Sequence, residues 1–437
     1  MSIQGKIDER TSTRKCLIIG GGVIGLSTAW HLLKDERNDV TVLDHPDPLA
    51  PSRDVSKFFR VDYTDPERMK LVMKSEELWE KDDLFEPFLH RTGRIVAYSP
   101  AQIDTLNGID RARSELKLSP RKHQTARLLE SVFESKPISQ ELAVVHNEED
   151  GVIDWERVMK SLKQECIDRG GKFREERVLH LDSNGEGTIA AVVTSTESID
   201  ARQTNIILAA GPWIMQLLEA SHIQQPPLSR APIATGIFAF HLDMTTQQWV
   251  KYHELPRLSE IGVGEFVCHP IEVGAGKVTW ITAFTNPSGK GGISEPKDVA
   301  KTDLGIQMML EARDWIRKRI PGLKGARIKS IWSYWDGVTG SQQPIIVRHP
   351  KHANLIIAGG GSYTHAKDLP YIGRIVTDVI QCTETHSHFG WDESSAGKQL
   401  NNQPLLCTDR VFSDLELEAS KDQRVRDWKM ERSDWII

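Results

Sequence analysis

Residues 16–25 read Cys-Leu-Ile-Ile-Gly-Gly-Gly-Val-Ile-Gly, an apolar run that passes directly into a glycine-rich turn. A short continuous apolar run is typical of a buried parallel strand. A helical stretch, Leu26 to Leu33, follows the turn, and a second apolar strand that begins at Asp39 ends at Asp44. The order of strand, glycine turn, helix, strand and terminal acid predicts a dinucleotide-binding unit.

Each part of this unit has a physical role. Gly20 permits the tight turn, Gly22 lets the backbone approach a pyrophosphate, and Gly25 lets the helix pack closely on the strand. The helix N-terminus favours phosphate, and Asp44 would accept hydrogen bonds from a ribose. The alternative is a glycine turn without a ligand, with Asp44 as a solvated acid. The predicted contacts in this region are Gly20, Gly22, Val23, Ile24, Gly25, Asp44 and His45.

Two later segments repeat the pattern of an apolar strand that ends in glycine. One is Thr204 to Trp213, which contains Gly211, and the other is Asn354 to Gly361. Three separated returns to such a strand end indicate one nucleotide domain assembled from distant pieces, as in flavoproteins of the glutathione-reductase type. FAD is therefore favoured over NAD, because an NAD-dependent dehydrogenase does not account for the late glycine strand.

The remaining pattern predicts an α/β fold. Helices are predicted at Asp65 to Lys81, with Asp65 as its cap, at Asp154 to Arg169, and at Asp303 to Lys318. Alternating apolar segments between residues 230 and 285 are typical of a sheet with one solvated face. The polar tail after residue 383 has no assignable pattern.

We expect two interleaved domains, because 437 residues are many for one core. A discontinuous, Rossmann-like FAD-binding domain is predicted at residues 14–85, 150–215 and 325–437. A mixed-sheet substrate domain is predicted at residues 86–149 and 216–324.

Composition and charge exclude several classes of partner and location. A net charge of −6 gives no reason to expect nucleic acid or an acidic membrane surface. No apolar run reaches 18 residues, and neither a signal-peptide pattern nor a C-terminal peroxisomal tripeptide occurs. We expect a cytoplasmic monomer whose five scattered cysteines are reduced. Their spacing predicts no metal site, and no HExxH or phosphate-loop motif indicates hydrolysis or phosphoryl transfer.

Two further stretches carry a resemblance to a known family. Residues 54–60, Asp-Val-Ser-Lys-Phe-Phe-Arg, are similar to an amadoriase pattern Asp-Leu-Asn-Lys-Ile-Ile-Arg. Residues 357–367, Ile-Ala-Gly-Gly-Gly-Ser-Tyr-Thr-His-Ala-Lys, are similar to Ala-Ala-Gly-Phe-Ser-Gly-His-Gly-Phe-Lys. From about Cys16 to Val379 the chain resembles the monomeric sarcosine oxidase and fructosyl amino acid oxidase (amadoriase) family of FAD enzymes, which fungal saccharopine oxidases also resemble.

The resemblance implies roles for several cations. Arg60 and Lys367 match the residues that bind the substrate carboxylate, and two cations on one carboxylate would fix its orientation. Lys57 matches a basic residue beside the flavin ring. Lys277 matches a lysine that promotes reaction with oxygen, where a fixed ammonium stabilises developing negative charge. The alternatives are solvated surface residues and, for Lys277, an edge-strand lysine.

Two departures from the family pattern alter what it implies. Tyr334 stands where the family has the cysteine that links FAD covalently, so FAD is expected to bind without a covalent link and with lower oxidising power. Tyr363 and Thr364 replace a Gly-His pair, so Tyr363 is expected to reshape the substrate pocket. The substrate is then neither sarcosine nor a simple fructosyl amino acid.

The resemblance implies oxidation of the C–N bond of an N-substituted or cyclic amino acid by hydride transfer to flavin, with O2 reduced to H2O2. The alternatives are a dehydrogenase or tailoring enzyme of secondary metabolism that acts on an amine, and a non-catalytic flavin-binding protein. The predicted catalytic residues are Arg60, Lys277, Tyr363 and Lys367. The further predicted cofactor contacts are Ser56, Lys57, Gly211, Tyr334, Gly360, Gly361, Ser362 and Lys367.

Overall fold

The computed structural model describes residues 13–45, 47–136, 141–288, 293–383, 386–393, 410–431 and 436–437. Its strands are β1 Arg14–Ile19, β2 Asn38–Asp44, β3 Ser56–Phe59, β4 Leu89–His90, β5 Arg94–Tyr98, β6 Lys122–Gln124, β7 Ala143–Asn147, β8 Gly151–Asp154, β9 Lys172–Glu175, β10 Val178–Ser183, β11 Ile189–Thr194, β12 Ser198–Asp200, β13 Thr204–Leu208, β14 Ile233–Asp243, β15 Arg257–Glu260, β16 Gly264–Cys268, β17 Ala275–Phe284, β18 Pro287–Ser288, β19 Ile293–Ser294, β20 Arg327–Val338, β21 Ile345–Arg348 and β22 Leu355–Gly359. Its α-helices are α1 Val23–Leu32, α2 Pro66–Lys81, α3 Ile103–Glu115, α4 Arg127–Phe133, α5 Trp155–Asp168, α6 Ile214–Ala220, α7 Thr246–Tyr252, α8 Asp303–Arg319, α9 Ile372–Gln381, α10 Phe412–Ala419 and α11 Gln423–Glu431.

The glycine-bearing strands are neighbours in one sheet, whose order is β21-β22-β13-β1-β2-β9. Strand β1 pairs in parallel with both β2 and β13, and β13 pairs in parallel with β22. Their carboxyl ends therefore meet at one edge, which is where ligands bind in such sheets. Helices α1, α5 and α9 contribute to the core on one face, and β10 and β11 to the core on the other. The predicted α/β fold of FAD-binding type is confirmed.

A second sheet, in the order β20-β14-β17-β16-β15-β5-β7-β6, carries the alternating segments. Its predicted solvated face is wrong, because residues 234–240 of β14 are all buried. Phe238 and Phe240 pack in the core that includes α8. Ile237, on the opposite face, lines a cavity between this sheet and the loops of the first sheet. The face that is not packed against helices is therefore directed at a site rather than at solvent.

A small sheet in the order β3-β8-β4 connects the two large ones, and β3 carries the Asp54 to Arg60 segment. Because β3 pairs antiparallel with β8 from Ser56 to Phe59, the flanking Asp54 and Arg60 are held at its two ends. This sheet thus fixes the position of one of the two segments that together carry the resemblance.

The three predicted helices occur close to their expected bounds. Asp65 caps α2, because its side chain accepts a hydrogen bond from the Glu67 N–H at 3.0 Å. Asp154 precedes α5, but its side chain makes no capping hydrogen bond. The tail after residue 383 is not wholly irregular, since α10 and α11 pack against α8.

Four cysteines lie within the described residues, and all of them are free thiols. These are Cys16, Cys166, Cys268 and Cys382. Cys407, the fifth, lies outside the described residues. In the same part of the chain no helix is both long enough and apolar enough to cross a membrane.

Candidate cofactor and substrate site

A large cavity lies at the carboxyl edge of the parallel sheet. Its volume is about 930 Å³, at the upper end of the range for ligand pockets. The ends of β1, β13 and β22 all contribute to it, through residues 20–22, Gly211 and residues 359–361. The three glycine-rich strand ends that lie far apart in the sequence thus converge on one space.

Close packing explains why the first turn requires glycine. Gly20 has a φ of +105°, and a Cβ on it would lie 2.4 Å from the Ala209 carbonyl oxygen. A Cβ on Gly25 would lie 1.8 Å from the Gly20 carbonyl oxygen. Neither position accepts a side chain, so the helix and both strands approach each other as in a dinucleotide-binding turn.

The rim of this cavity has the polar groups that a dinucleotide requires. Asp44 Oδ1 accepts a hydrogen bond from the Gly21 N–H at 2.8 Å, and Arg53 donates to its Oδ2 at 2.6 Å. A carboxylate has lone pairs beyond these two, which remain for ribose hydroxyls. No side chain caps helix α1 at Gly22, and the Val23 N–H has only a long contact of 3.3 Å with the Ser52 hydroxyl. The N-terminus of α1 is therefore suited to a pyrophosphate.

A second cavity, of about 150 Å³, adjoins the first. Asp54, Lys57, Tyr363 and Ala366 line both cavities, so these residues form their common boundary. The small cavity lies beyond it, between the second sheet and the 357–367 segment.

Asp54 organises the cations at this boundary. Its Oδ2 accepts hydrogen bonds from Lys277 at 2.6 Å and from Lys57 at 2.8 Å, and Lys277 also donates to the Ser56 carbonyl oxygen at 2.6 Å. Burial alone would raise the pKa of Asp54, but Lys277 and Lys57 hold it well below its usual value. Burial lowers the pKa of Lys277, and Asp54 opposes this shift. An ammonium has three N–H donors, so one on Lys277 remains for the cavity.

Tyr334 completes this group. Its hydroxyl donates a hydrogen bond to Asp54 Oδ1 at 3.1 Å and lies 3.5 Å from His241 Nε2. Burial and the Asp54 charge both raise the pKa of the phenol. The Tyr334 phenol is therefore neutral and acts as a hydrogen-bond donor rather than as a nucleophile.

Arg60 and Lys367 meet on one aromatic ring. The Arg60 guanidinium carbon lies 5.0 Å from the centre of the Tyr63 ring, and the Lys367 ammonium lies 4.7 Å from it. Lys367 donates hydrogen bonds to the Tyr63 hydroxyl and to the Thr364 carbonyl oxygen. Both cations line the small cavity, and Tyr63 is fully buried behind them.

The cations shift one another's protonation equilibria. Burial would raise the pKa of Tyr63, but Lys367, Arg60 and Arg68 together lower it to about 7. Burial lowers the pKa of Lys367 to about 8, although Tyr63 opposes the shift. This tyrosine thus acts as a partial counter-ion to the cations around it.

A buried ion pair supports the turn that carries Lys367. Arg68 donates to Asp368 Oδ1 at 3.0 Å and to Asp368 Oδ2 at 2.5 Å, and both side chains are fully buried. His365 lies 2.6 Å from the same carboxylate. Ser362 and Tyr363 have φ values of 48° and 55°, a left-handed conformation that non-glycine residues rarely adopt. The Arg68–Asp368 ion pair holds the turn that carries Lys367 in place in spite of this backbone strain.

The hydroxyl of Tyr363 is fully engaged by the backbone. Its proton has two alternative acceptors, the Thr235 carbonyl oxygen at 2.5 Å and the Tyr334 carbonyl oxygen at 2.7 Å. The hydroxyl oxygen accepts a hydrogen bond from the Asp336 N–H at 3.1 Å. Burial raises the pKa of Tyr363 well above its usual value. Tyr363 therefore presents its ring, and not an acid group, to the two cavities.

The structure brings most of the predicted residues to one of the two cavities. The large cavity is lined by Gly20, Gly22, Val23, Ile24, Asp44, His45, Lys57, Gly211, Tyr363, Gly360 and Gly361. The small cavity is lined by Lys57, Arg60, Lys277, Tyr334, Tyr363 and Lys367. Gly25, Ser56 and Ser362 line neither cavity and lie beneath the surfaces of the site.

Sequence reasoning missed several charged residues at the small cavity. Asp54 begins the 54–60 motif, and a carboxylate four residues before an aromatic pair that precedes an arginine is a usable signal. Arg94 and Glu265 also line this cavity. Their patterns are those of ordinary strand residues, so no signal in the sequence distinguishes them.

Known proteins share this fold or have similar sequences. The chain is 23% identical over 398 residues to L-saccharopine oxidase of Schizosaccharomyces pombe, covering 84% of this chain and 90% of that enzyme. It is 23% identical over 370 residues to human peroxisomal sarcosine oxidase, covering 83% and 91%. The crystal structure of amadoriase I from Aspergillus fumigatus superposes with a TM-score of 0.75 at 24% identity, over 88% of this chain and 90% of that one, and shows the same fold.

The family match extends across both cavities. Residues 15–379 match the family described as DAO, FAD dependent oxidoreductase. This range begins at the first predicted strand and ends two residues before the end of α9. The glycine cradle, the Asp44 rim and the helix N-terminus provide the contacts that the adenosine and pyrophosphate of FAD require. The chain belongs to the DAO family of FAD-dependent oxidoreductases.

Proposed function

We propose that the protein oxidises the carbon–nitrogen bond of an amino acid whose nitrogen is substituted or part of a ring, and that molecular oxygen receives the electrons and yields hydrogen peroxide. When bound, FAD supplies the hydride acceptor for this chemistry. The observation that carries the proposal is the position of Arg60 and Lys367 on the small cavity, which shares a wall with the nucleotide cavity. The relatives named for saccharopine and sarcosine oxidation support an amino acid as substrate.

Arg60 and Lys367 bind the substrate carboxylate. Arg60 lies over the Tyr63 ring and forms no ion pair within the described residues, so N–H groups that do not face Tyr63 can bind a ligand. The Lys367 ammonium donates to the Tyr63 hydroxyl and the Thr364 carbonyl oxygen, which leaves its third N–H for the substrate. Two charge-assisted contacts from fixed cations orient the carboxylate and hence the adjacent carbon–nitrogen bond.

The charge of the cavity favours an unprotonated amine. Among the described residues that line it, cationic side chains outnumber carboxylates. The cations are Lys57, Arg60, Arg94, Lys277 and Lys367, and the carboxylates are Asp54, Asp62 and Glu265. Nearby positive charge lowers the pKa of a bound amine. The nitrogen lone pair is then free to form the C=N bond as the carbon loses hydride and the nitrogen loses its proton. Water hydrolyses the imine product.

Lys277 assists the reduction of oxygen. Its ammonium is fixed by Asp54 and the Ser56 carbonyl oxygen, and it faces the small cavity. A cation that is already in place stabilises the negative charge that develops on oxygen without reorganisation of the site. Oxygen gains two electrons and two protons in forming hydrogen peroxide.

A dehydrogenase is the second candidate, and Tyr334 is the observation that favours it. A tyrosine stands at the position where the resemblance places a flavin-linking cysteine, and none of the described cysteines lines either cavity. FAD held without a covalent link is expected to have a lower potential. An electron acceptor other than oxygen would then compete with oxygen for the electrons taken from the substrate.

An anaerobic flavin-bleaching screen tests the proposal. The purified yellow protein is mixed with N-alkyl amino acids and cyclic imino acids, and loss of the flavin absorbance is followed before and after admission of air. Bleaching followed by reoxidation with stoichiometric peroxide is expected. Bleaching with slow reoxidation in air and fast reoxidation by an artificial acceptor would favour the dehydrogenase. If no amino-acid amine bleaches the flavin, the proposal is wrong.

A further inference from the structure

A second arginine faces the small cavity with part of its guanidinium unused. Arg94, on β5, lines this cavity and is only 1% exposed. Its Nε lies 2.9 Å from Asp150 Oδ2, but its Nη1 has no hydrogen-bond partner among the described residues. Buried N–H groups in native proteins almost always have an acceptor. A ligand in the cavity would supply one.

The carboxylate beside Arg94 is shared with a second buried arginine. Asp150 Oδ2 also lies 3.5 Å from Arg257, so one carboxylate serves two buried guanidinium groups. The Nε and Nη1 atoms of Arg257 likewise have no partner within the described chain. Buried cations are normally paired with anions. Glu265, which lines the same cavity, also acts on Arg257, but the donor capacity of the two guanidinium groups is still incompletely used.

A neighbouring hydroxyl indicates the same ligand chemistry independently. Thr105, on α3, lines the cavity, is 4% exposed, and its Oγ1 has no hydrogen-bond partner among the residues described. Tyr98 also lines the cavity, and its hydroxyl accepts a long hydrogen bond of 3.4 Å from Arg121. A buried guanidinium and buried hydroxyls without acceptors together form a site for an oxyanion.

We propose that the substrate carries a second carboxylate, which binds Arg94 and Thr105 while the first binds Arg60 and Lys367. This inference rests on the proposed function and narrows its substrate class to amine dicarboxylates. The second carboxylate is either on the nitrogen substituent or on the amino-acid side chain. A cavity of about 150 Å³ favours a short connection between the two carboxylates.

Matched pairs of amines test this inference on the FAD-loaded protein. N-(carboxyalkyl)glycines with one to three methylene groups in the arm are compared with N-alkylglycines that end in methyl instead of carboxylate. N-methylaspartate and N-methylglutamate are compared with N-methylnorvaline, which places the second carboxylate on the side chain. The half-saturating concentration for anaerobic flavin bleaching is measured for each. One dicarboxylate series is expected to saturate at a concentration at least tenfold lower than its matched series.

Two variants separate recognition from structural support. Arg94→Gln is expected to abolish the preference for the dicarboxylate, and Thr105→Val to reduce it severalfold. Arg202→Gln, at an exposed arginine paired with Asp200, is the matched control and is expected to keep the preference. If Arg94 serves only as a counter-ion to Asp150, Arg94→Gln affects both members of each pair equally, and the inference fails.

The outcomes distinguish this inference from the proposed function. Equal saturation by dicarboxylates and monocarboxylates overturns the inference and leaves amine oxidation intact. Failure of every amine to bleach the flavin overturns the proposed function. If Arg94→Gln does not fold, the Thr105→Val variant and the wild-type comparison still decide the question.

Discussion

The Lys277 ammonium lies 2.6 Å from Asp54 Oδ2, and both side chains are buried. The two residues are 223 positions apart in the chain, so this contact joins the second sheet to the segment that follows the nucleotide unit. The same carboxylate oxygen also accepts from Lys57. One aspartate therefore holds two like charges at the boundary of the two cavities.

We predict that Asp54→Asn destabilises the protein strongly. Loss of one partner from a buried charge pair typically costs about 3–5 kcal/mol, because the remaining charge is left uncompensated. Here Lys57 and Lys277 would also repel each other. Chemical denaturation followed by tryptophan fluorescence measures the change. Asp200→Asn, which removes the exposed partner of Arg202, is the control and is expected to change stability by less than about 1 kcal/mol. Similar losses in both variants would contradict a structural role for Asp54.

We predict that substrate affinity falls as the pH rises through about 8. Burial lowers the pKa of Lys367 to about 8, so its ammonium is present below that pH and is lost above it. A charge-assisted hydrogen bond is worth about 1.5–3 kcal/mol, so KM for a carboxylate substrate should rise about 10- to 150-fold. Steady-state kinetics from pH 6 to 10 measure this rise. In Lys367→Arg the cation persists, so the rise near pH 8 should disappear and only the effect of Tyr63, whose pKa is about 7, should remain. A rise of the same size in that variant would assign the titration to another group.

We predict that Tyr63→Phe moves this transition to lower pH. The Tyr63 hydroxyl accepts a hydrogen bond from Lys367. The negative charge of the Tyr63 phenolate opposes the lowering of the Lys367 pKa. Without that hydroxyl the ammonium is less stable, so KM should begin to rise below pH 8. The aromatic ring remains for Arg60 to stack on, so kcat at low pH should change little. An unchanged pH profile would show that Tyr63 does not act through Lys367.

Much of the fold was predictable because its signals are local. The glycine turn, the apolar strands and the Asp65 cap depend on neighbouring residues, and their bounds agree with the structure within a few positions. The solvated face predicted for the second sheet was wrong, because alternation shows that a strand has two different faces but not what covers each one. The cavity that covers the second face is lined by segments far apart in the chain, among them residues 54–62, 94–109 and 363–367.

The charges of the site were predictable only where a motif carried them. Arg60 and Lys367 lie in quoted motifs, and the structure brings both onto Tyr63. Arg94 gives no signal, because its importance depends on what faces it across the cavity. Asp54 lies in the same motif as Arg60, but its partner Lys277 lies on a strand that no local pattern pairs with it.

We predict that FAD is bound without a covalent link. A covalent bond to the flavin requires a nucleophile at the boundary of the cavities, and Tyr334 occupies the position where the resemblance places that nucleophile. Its hydroxyl donates to Asp54, and burial with the Asp54 charge raises its pKa, so phenolate is not formed at neutral pH. Trichloroacetic acid should therefore leave a yellow supernatant and a colourless pellet, and the mass of the denatured chain should show no added FAD. Tyr334→Phe is expected to give the same result, whereas a yellow pellet from the wild-type protein would show that another residue forms the link.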